Sequence, residues 1–243
     1  MVPFSLETYR TCSITLEGGS AAAFSPDGKN VISSGSSGSI KIWKISTENC
    51  VKTLGWGLDG ISSVAYSPDG KYFIAGGSKG VEEEIIRENG DTILSYTFSV
   101  GDVKIFDAKT YDCVKILKTN GSGTQIYLAY SPDGKKIISS TGGKSIKIWD
   151  AEKGECVKTL EASSGSVSCL AYSPNGKYIV SGSNNPYSKT PDNSIRIWDA
   201  ESGKCIKTLE GHTKGVRSIA FSPDGKHIVS GSYDNTIKIW KIE

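Results

Sequence analysis

The sequence predicts an all-β fold in which one unit of four short strands is repeated five times. A Ser-Pro-Asp/Asn-Gly turn recurs at residues 25–28, 67–70, 131–134, 173–176 and 222–225. An alternating strand follows and ends in an aromatic residue, at Trp43, Phe106, Trp149, Trp198 and Trp240. A third element, Cys-x-Lys-x-Leu, occupies residues 50–54, 113–117, 156–160 and 205–209. The basic spacing is 42 or 43 residues, with about 21 more in the second unit and about 7 more in the fourth.

Each unit has the features of four antiparallel strands. In the last unit, strands are predicted at Val216–Phe221, His227–Ser232 and 236–240. Short runs rich in β-branched residues and bounded by turns favour strands over helices, and proline followed by glycine suits the first tight turn. The cysteine-containing element is the fourth strand. One such sheet cannot bury both of its faces alone, whereas five sheets stacked around an axis can, so the repeat favours a β-propeller.

We expect a single domain spanning residues 1–243. Its blades are predicted at about 20–54, 61–118, 124–160, 166–209 and 215–243, the last together with 11–17. Two insertions interrupt the repeat, a hairpin at 81–101, where Asn89-Gly90 separates strand-like runs, and a loop at 184–192. Because residues 12–17 align with 205–210, we expect residues 11–17 to complete the last blade and close the ring. The alternative is an incomplete ring that pairs with another chain.

The aromatic strand ends belong to a more specific motif. Trp149-Asp150 and Trp198-Asp199 are complete Trp-Asp pairs, Phe106-Asp107, Trp43-Lys44 and Trp240-Lys241 match in part, and Gly211-His212 precedes the last unit. With these motifs, residues 11–243 resemble the WD-repeat family. The resemblance implies a single five-bladed β-propeller of four-stranded antiparallel blades. It also implies a structural set formed by His212, Ser230, Asp234 and Trp240, and core positions for Trp43, Trp149 and Trp198.

Composition argues against several classes of function. The 28 basic and 26 acidic residues give a net charge of +2, which is unlike a dedicated nucleic-acid binder. No apolar run is long enough to span a bilayer, and the first residues lack the features of a signal peptide. Two histidines, His212 and His227, are a small inventory for acid–base catalysis. We therefore predict a cytoplasmic, non-catalytic, monomeric protein without cofactor, metal or membrane contact.

The cysteines recur at one repeat position, with the exception of Cys169. Equivalent positions of different blades are too far apart for disulfides or for a shared metal ion. We expect small buried thiols.

Departures from the repeat indicate where a partner would bind. In WD-repeat propellers, the loops between strands two and three and the loops that join blades lie on one face. Exposed aromatic and arginine side chains are common anchors of interfaces. The predicted partner-binding residues on that face are Trp56, Tyr187, Lys189, Lys214, Arg217 and Tyr233. We expect a scaffold for a protein or peptide; the alternatives are a propeller that binds RNA or an acidic ligand, and an enzyme that uses the axial channel.

Overall fold

The computed structural model describes residues 15–56, 60–86, 92–120, 125–140, 143–162, 165–184 and 191–242, without the side chains of residues 36, 79–86 and 92–101. In these ranges the chain forms nineteen strands and two 3₁₀ turns, Ser36–Gly38 and Ile45–Thr47. The strands form five antiparallel sheets, and within each sheet the strands follow one another in sequence order. The all-β prediction is therefore confirmed.

The sheets are named here by their order in the chain. The first contains β1 (Ala22–Phe24), β2 (Asn30–Ser34), β3 (Ser39–Lys44) and β4 (Asn49–Gly55). The second contains β5 (Gly60–Tyr66), β6 (Tyr72–Ile86), β7 (Thr92–Asp107) and β8 (Cys113–Leu117). The third contains β9 (Leu128–Tyr130), β10 (Lys136–Ser140), β11 (Ser145–Asp150) and β12 (Cys156–Glu161). The fourth contains β13 (Ser166–Tyr172), β14 (Tyr178–Asn184), β15 (Ile195–Asp199) and β16 (Cys205–Leu209), and the fifth β17 (Val216–Phe221), β18 (His227–Ser232) and β19 (Ile237–Lys241).

The fifth sheet has three strands in the part of the chain that the structure describes. Residues 11–14 lie outside the described residues, and Thr15, Leu16 and Glu17 are not in a strand. Completion of the last sheet by residues 11–17, and closure of a ring, therefore stay predictions.

The second sheet carries a long two-stranded extension. Pairing of β6 with β7 runs from Tyr72 opposite Asp107 to Ile86 opposite Thr92, with a register shift between Gly76 and Ser78. The extension includes the predicted insertion at 81–101, whose turn at 87–91 lies outside the described residues. The other insertion, 184–192, also lies mostly outside them, at 185–190.

The Ser-Pro-Asp/Asn-Gly turns join the first and second strands of every sheet. In the second sheet the Gly70 amide donates to the Ser67 carbonyl at 2.9 Å, and Gly70 has a φ of 71°. The Ser67 hydroxyl donates to Asp69 at 2.7 Å, and this hydrogen bond, followed by one from the Lys71 amide, lowers the pKa of Asp69. A left-handed φ costs a side chain with a Cβ about 1–2 kcal/mol, so glycine is favoured here.

The core lies between consecutive sheets. In the alternating strand of the first sheet, Ile40 and Ile42 face the second sheet and are packed with Ile61 and Phe73. Three further clusters join the second sheet to the third, the third to the fourth and the fourth to the fifth. Each buried isoleucine or phenylalanine stabilises the fold by about 1.5–3 kcal/mol relative to exposure. Packing at these interfaces holds the sheets together, because the backbone hydrogen bonds lie mostly within a sheet; one between sheets joins the Val167 amide to the Gly143 carbonyl at 3.1 Å.

The first strands of four sheets converge on one cavity. Ala65, Ala129, Ala171 and Ala220, from the second to the fifth sheets, line a cavity of about 430 Å³. Small side chains allow these inner strands to approach the common centre. Because the sheets are antiparallel, one end carries the connections from second to third strands and those between sheets. We call this end the loop face, and the opposite end, with the Ser-Pro-Asp/Asn-Gly turns, the turn face.

Candidate functional site

A tryptophan and a serine form a buried hydrogen bond in four of the five sheets. The tryptophan ends the third strand, the serine lies on the second, and the indole Nε1–H donates to the hydroxyl oxygen. The N–O distances are 2.9–3.0 Å for Trp43–Ser33, Trp149–Ser139, Trp198–Ser181 and Trp240–Ser230. Trp43, Trp149 and Trp198 are buried, whereas Trp240 is half-buried. A buried indole needs such an acceptor, so these tryptophans hold the second and third strands together.

The second sheet replaces both members of this pair. Phe106 takes the place of tryptophan and Ala75 the place of serine, and both are buried. Phe106 stacks on Phe73 with ring centroids 5.0 Å apart. Replacing both hydrogen-bonding partners by apolar groups leaves no orphaned donor, which is why the two changes are compatible.

In the fifth sheet the hydrogen-bonded chain is longer. The Trp240 indole donates to Ser230 Oγ at 2.9 Å. Ser230 Oγ lies 2.8 Å from His212 Nε2, and His212 Nδ1 lies 2.8 Å from Asp234 Oδ2. Since the carboxylate only accepts, His212 Nδ1 carries the proton and Nε2 accepts from the serine hydroxyl. Every donor is then used once, and the four side chains connect the loop that precedes β17 to β18 and β19.

Asp234 anchors this chain of hydrogen bonds. Its Oδ1 accepts from the Thr236 hydroxyl at 2.6 Å, and its Oδ2 accepts from the Thr213 amide at 3.0 Å. The bond from Thr236, followed by those from His212 and from the Thr213 amide, holds the pKa of Asp234 well below its usual range. The carboxylate is therefore ionised throughout the neutral range, and its hydrogen bonds order the loop of the fifth sheet.

Three of the six predicted partner-binding residues lie together on the loop face of the fifth sheet. The Arg217 guanidinium carbon lies 5.6 Å from the centre of the Tyr233 ring, and both side chains are exposed. Lys214 is exposed beside them, and its carbonyl accepts from the Ser232 hydroxyl at 2.8 Å. Tyr187 and Lys189 lie outside the described residues.

Trp56 is less exposed than the sequence predicted, and its role in partner binding stays a prediction. It is half-buried, with its ring edge-on to Phe106 at 5.9 Å. Lys104 Nζ lies 4.8 Å from the centre of the indole ring. The phenylalanine at position 106 lacks the width of tryptophan, and Trp56 packs against it from the loop between the first and second sheets.

Tyr127 was missed by the sequence analysis. Its hydroxyl donates to Gln125 Oε1 at 2.7 Å. Burial raises the pKa of Tyr127, the charges of Cys169 and Tyr233 raise it further, and Arg217 lowers it. Tyr127, directly before β9 of the third sheet, is therefore near enough to Arg217 and Tyr233 of the fifth for both to influence its pKa. The sequence did contain a signal for Tyr127, since it is a large residue at a position where the other repeats have small ones. These are Ala21, Ser63, Cys169 and Ser218.

Comparison with protein families supports the same architecture. The model described as "WD domain, G-beta repeat" matches residues 10–44, 48–81, 154–199 and 203–241, together more than half of the chain. The chain belongs to the WD-repeat family. The model of the "Anaphase-promoting complex subunit 4 WD40 domain" matches residues 101–175, which include the end of the strand with Phe106-Asp107 and the whole third sheet. No curated protein matches the sequence closely enough to name a relative.

Membership of the WD-repeat family bears on function at a coarse level. WD-repeat domains generally serve as scaffolds for protein–protein interactions, and neither matched model describes an enzyme family. The lining of the central cavity is made of alanine, leucine, tyrosine, phenylalanine, serine and proline side chains. Among the described residues, no three metal-ligating side chains cluster, and none of the helical turns has the length or hydropathy to cross a membrane.

The prediction of buried cysteines was wrong for the four described cysteines at the recurring position, while Cys12 lies outside the described residues. Cys50, Cys113, Cys156 and Cys205 are exposed, and Cys169 is buried. Each exposed thiol is at the start of a fourth strand and donates to the carbonyl two residues ahead, as Cys50 does to Lys52 at 3.3 Å. In the fourth strands, the leucine is the side chain that reaches the core. Burial raises the pKa of Cys169 to about 12.

Proposed function

We propose that the five sheets are the blades of one propeller and that the protein is a non-catalytic scaffold for a protein or peptide partner. The partner binds on the loop face, at a patch formed by Lys214, Arg217, Tyr233 and Tyr127. The observation that carries this proposal is the Arg217–Tyr233 contact, in which a cation lies over an exposed aromatic ring.

The charge of Arg217 is available to a ligand. The guanidinium of Arg196, on the fourth sheet, is already paired with Asp192 at 3.0 Å. Arg217 forms no salt bridge with a residue in the described ranges. Contact with the Tyr233 ring restricts the arginine, and its exposed guanidinium has planar donors that suit a carboxylate of the partner. Lys214 is exposed just before β17, and Arg217 and Tyr233 influence the pKa of Tyr127, so the patch combines charge with aromatic surface, as interface anchors do.

The experiment is a pull-down from native lysate followed by quantitative mass spectrometry. The test variant combines Arg217→Ala with Tyr233→Ala. The matched control combines Lys71→Ala with Tyr72→Ala, an exposed cation and tyrosine on the turn face. We expect a set of proteins that the wild type and the control recover and the test variant loses. The mass of each variant in solution is measured, so that altered self-association is not mistaken for lost binding.

A recovered partner then permits a sharper measurement. Truncating one hot-spot arginine costs about 2 kcal/mol or more, which corresponds to at least a ~30-fold weaker Kd. Arg217→Lys retains the charge but not the planar fork, so we expect an intermediate loss. Equal recovery by both double variants would contradict the assignment of the patch. Recovery of RNA that disappears at moderate salt would favour an RNA-binding propeller instead.

A further inference from the structure

The turn of the fourth sheet differs from its four counterparts by one side-chain group, an amide in place of a carboxylate. Residues 173–176 read Ser-Pro-Asn-Gly, where the other turns read Ser-Pro-Asp-Gly. Asn175 is exposed and is followed by Gly176. Asparagine is prone to deamidation before glycine, because glycine has no side chain to hinder attack by its own backbone nitrogen on the asparagine side chain. Asn175 is therefore a candidate for chemical modification.

The reaction follows from the chemistry of these two residues. The Gly176 nitrogen forms a bond to Cγ of Asn175, and the bond from Cγ to Nδ2 breaks. Nδ2 leaves as ammonia and takes the proton of the Gly176 amide, which leaves a five-membered succinimide ring. One water molecule then opens the ring, at one carbonyl to give aspartate and at the other to give isoaspartate. Asparagine and water thus become aspartate or isoaspartate and ammonia, without an oxidant or a reductant.

The closed turn engages both reacting groups. The Gly176 amide donates to the Ser173 carbonyl at 2.9 Å, and this bond has to break before the nitrogen can lose its proton and attack. Oδ1 of Asn175 accepts from the Ser173 hydroxyl at 2.7 Å and from the Lys177 amide at 3.0 Å, and these two bonds fix the side chain in place. Three hydrogen bonds of ordinary strength should slow a reaction that needs them open by at least about 10-fold.

Ser173 connects this turn to the sheet. It is 1 % exposed, its hydroxyl accepts from the Tyr178 amide at 2.9 Å, and its own amide donates to the Tyr178 carbonyl at 2.9 Å. These bonds continue the ladder between β13 and β14. A Cβ on Gly176 would lie 3.6 Å from Cδ of Pro132, in the turn of the third sheet. Freeing Asn175 therefore requires the end of the β13–β14 ladder to separate.

The other four turns show that an aspartate fits at this position. In each of them Oδ1 accepts the same two hydrogen bonds, from the serine hydroxyl at 2.5–2.7 Å and from the amide two residues ahead at 3.0–3.1 Å. The serine hydroxyl is the main cause of the lowered pKa of these aspartates, which are Asp27, Asp69, Asp133 and Asp224. An ionised acceptor strengthens such bonds. In isoaspartate the main chain passes through Cβ and Cγ, which lengthens the turn by one atom and prevents the same closure.

We propose that Asn175 is a deamidation site under the control of the fold. While the turn is closed, the hydrogen bonds from Ser173 and to Ser173 protect the asparagine, and when the turn opens the asparagine converts. The aspartate product returns to the turn that the other four sheets already have, and it places a negative charge beside Lys177 on the turn face. The fraction of aspartate at position 175 therefore increases with the time that this turn has spent open.

The first experiment compares the rate of conversion in the folded and the unfolded chain. The wild type is incubated in mildly alkaline buffer with and without guanidinium chloride, and peptide mapping by mass spectrometry quantifies aspartate and isoaspartate at position 175. Mapping is needed because Asn-Gly also occurs at residues 89–90 and 120–121. Conversion should be at least ~10-fold slower in the folded chain. Equal rates would overturn the proposal, and so would the absence of conversion in the unfolded chain.

A matched pair of variants separates opening of this turn from unfolding of the whole protein. Ser173→Ala removes the hydroxyl that holds Asn175, and Ser131→Ala makes the same change in the turn of the third sheet. Circular dichroism is used to bring both variants to the same folded fraction, by addition of urea to the more stable one. Only Ser173→Ala should bring the rate at position 175 toward that of the unfolded chain. Equal acceleration by both variants would contradict control by the local turn.

The fit of the product is tested with Asn175→Asp. Its urea unfolding midpoint at neutral pH should equal or exceed that of the wild type, because the carboxylate accepts the bonds that Asn175 accepts and is ionised there. A lower midpoint would show that the native turn does not accept the aspartate and would overturn that part of the proposal.

Discussion

The buried Trp–Ser pair of the third sheet permits a quantitative test of how these sheets are held together. Ser139 is fully buried and Trp149 is 3 % exposed, and the indole N–H donates to Ser139 Oγ at 2.9 Å. Ser139→Ala removes the acceptor and leaves the donor buried without a partner. Such an orphaned group costs about 1–3 kcal/mol, so the free energy of unfolding should fall by that amount. Trp149→Phe should cost more, because it orphans the hydroxyl and also leaves a cavity.

The double variant Ser139→Ala, Trp149→Phe reproduces the pair that the second sheet carries at Ala75 and Phe106. No polar group is then orphaned, so the double variant should be more stable than the sum of the single effects by about 1–3 kcal/mol. The reverse change, Ala75→Ser, buries a hydroxyl beside Phe106 and should destabilise by a similar amount.

Urea unfolding of the four proteins of the cycle, monitored by tryptophan fluorescence and circular dichroism, measures these differences. The comparison is made at constant m-value, since a changed slope would indicate loss of cooperativity between sheets. Strict additivity of the two single effects would refute the reasoning, because it would mean that the tryptophan contributes by packing alone. A stabilising Ala75→Ser would refute it as well.

Three further outcomes are expected. Asp234→Asn should lower the melting temperature at neutral pH. Because the pKa of Asp234 is held below 3.8, the stabilisation by its carboxylate is complete above about pH 4 and is lost on acidification. The difference in melting temperature between the variant and the wild type should therefore shrink as the pH falls below 4. Gly77→Ala should lower the free energy of unfolding, measured in urea, by about 1–3 kcal/mol or more, because a Cβ there would lie within 2 Å of a backbone carbonyl. The control Gly55→Ala should be neutral, because its Cβ meets no atom within 4 Å. A maleimide reagent should label the four exposed cysteines of the native protein, Cys50, Cys113, Cys156 and Cys205, and mass spectrometry detects the labelled sites. Cys169 should be labelled only after unfolding, since a buried thiol with a pKa of about 12 forms no thiolate at neutral pH.

The strands were predictable because the same local sequence pattern, with the same turns and strands, occurs five times in the chain. The predicted ranges Val216–Phe221 and His227–Ser232 match β17 and β18, and the third strand differs by one residue at each end. Turn chemistry was equally clear, since proline followed by glycine at a fixed place restricts the backbone locally. Strand bounds and turns depend mainly on residues that are close together in the sequence, so they can be predicted from it.

The orientation of the outer strands was not predictable from the same pattern. Cysteine is a common buried residue, and with disulfides and a shared metal ion excluded, its recurrence at one repeat position suggested small buried thiols. The fourth strand, however, lies at the rim of its sheet, where the leucine alone packs inward and the preceding residues face solvent. Exposure depends on how far the next sheet extends, and this distance is set by packing between sheets.

The patch proposed to bind a partner lies where the repeat no longer determines the contacts of a residue. At one repeat position of the inner strand, Ser62 and Ser168 tie their sheets to the next one: Ser62 donates to the Ile126 carbonyl at 3.0 Å and Ser168 to the Val216 carbonyl at 2.5 Å. Arg217 occupies this position in the fifth sheet. A guanidinium cannot replace so short a hydroxyl bridge, and the side chain instead lies over Tyr233 in solvent. The residue is therefore released from holding sheets together, which is the condition under which a position in a repeat can be used for recognition.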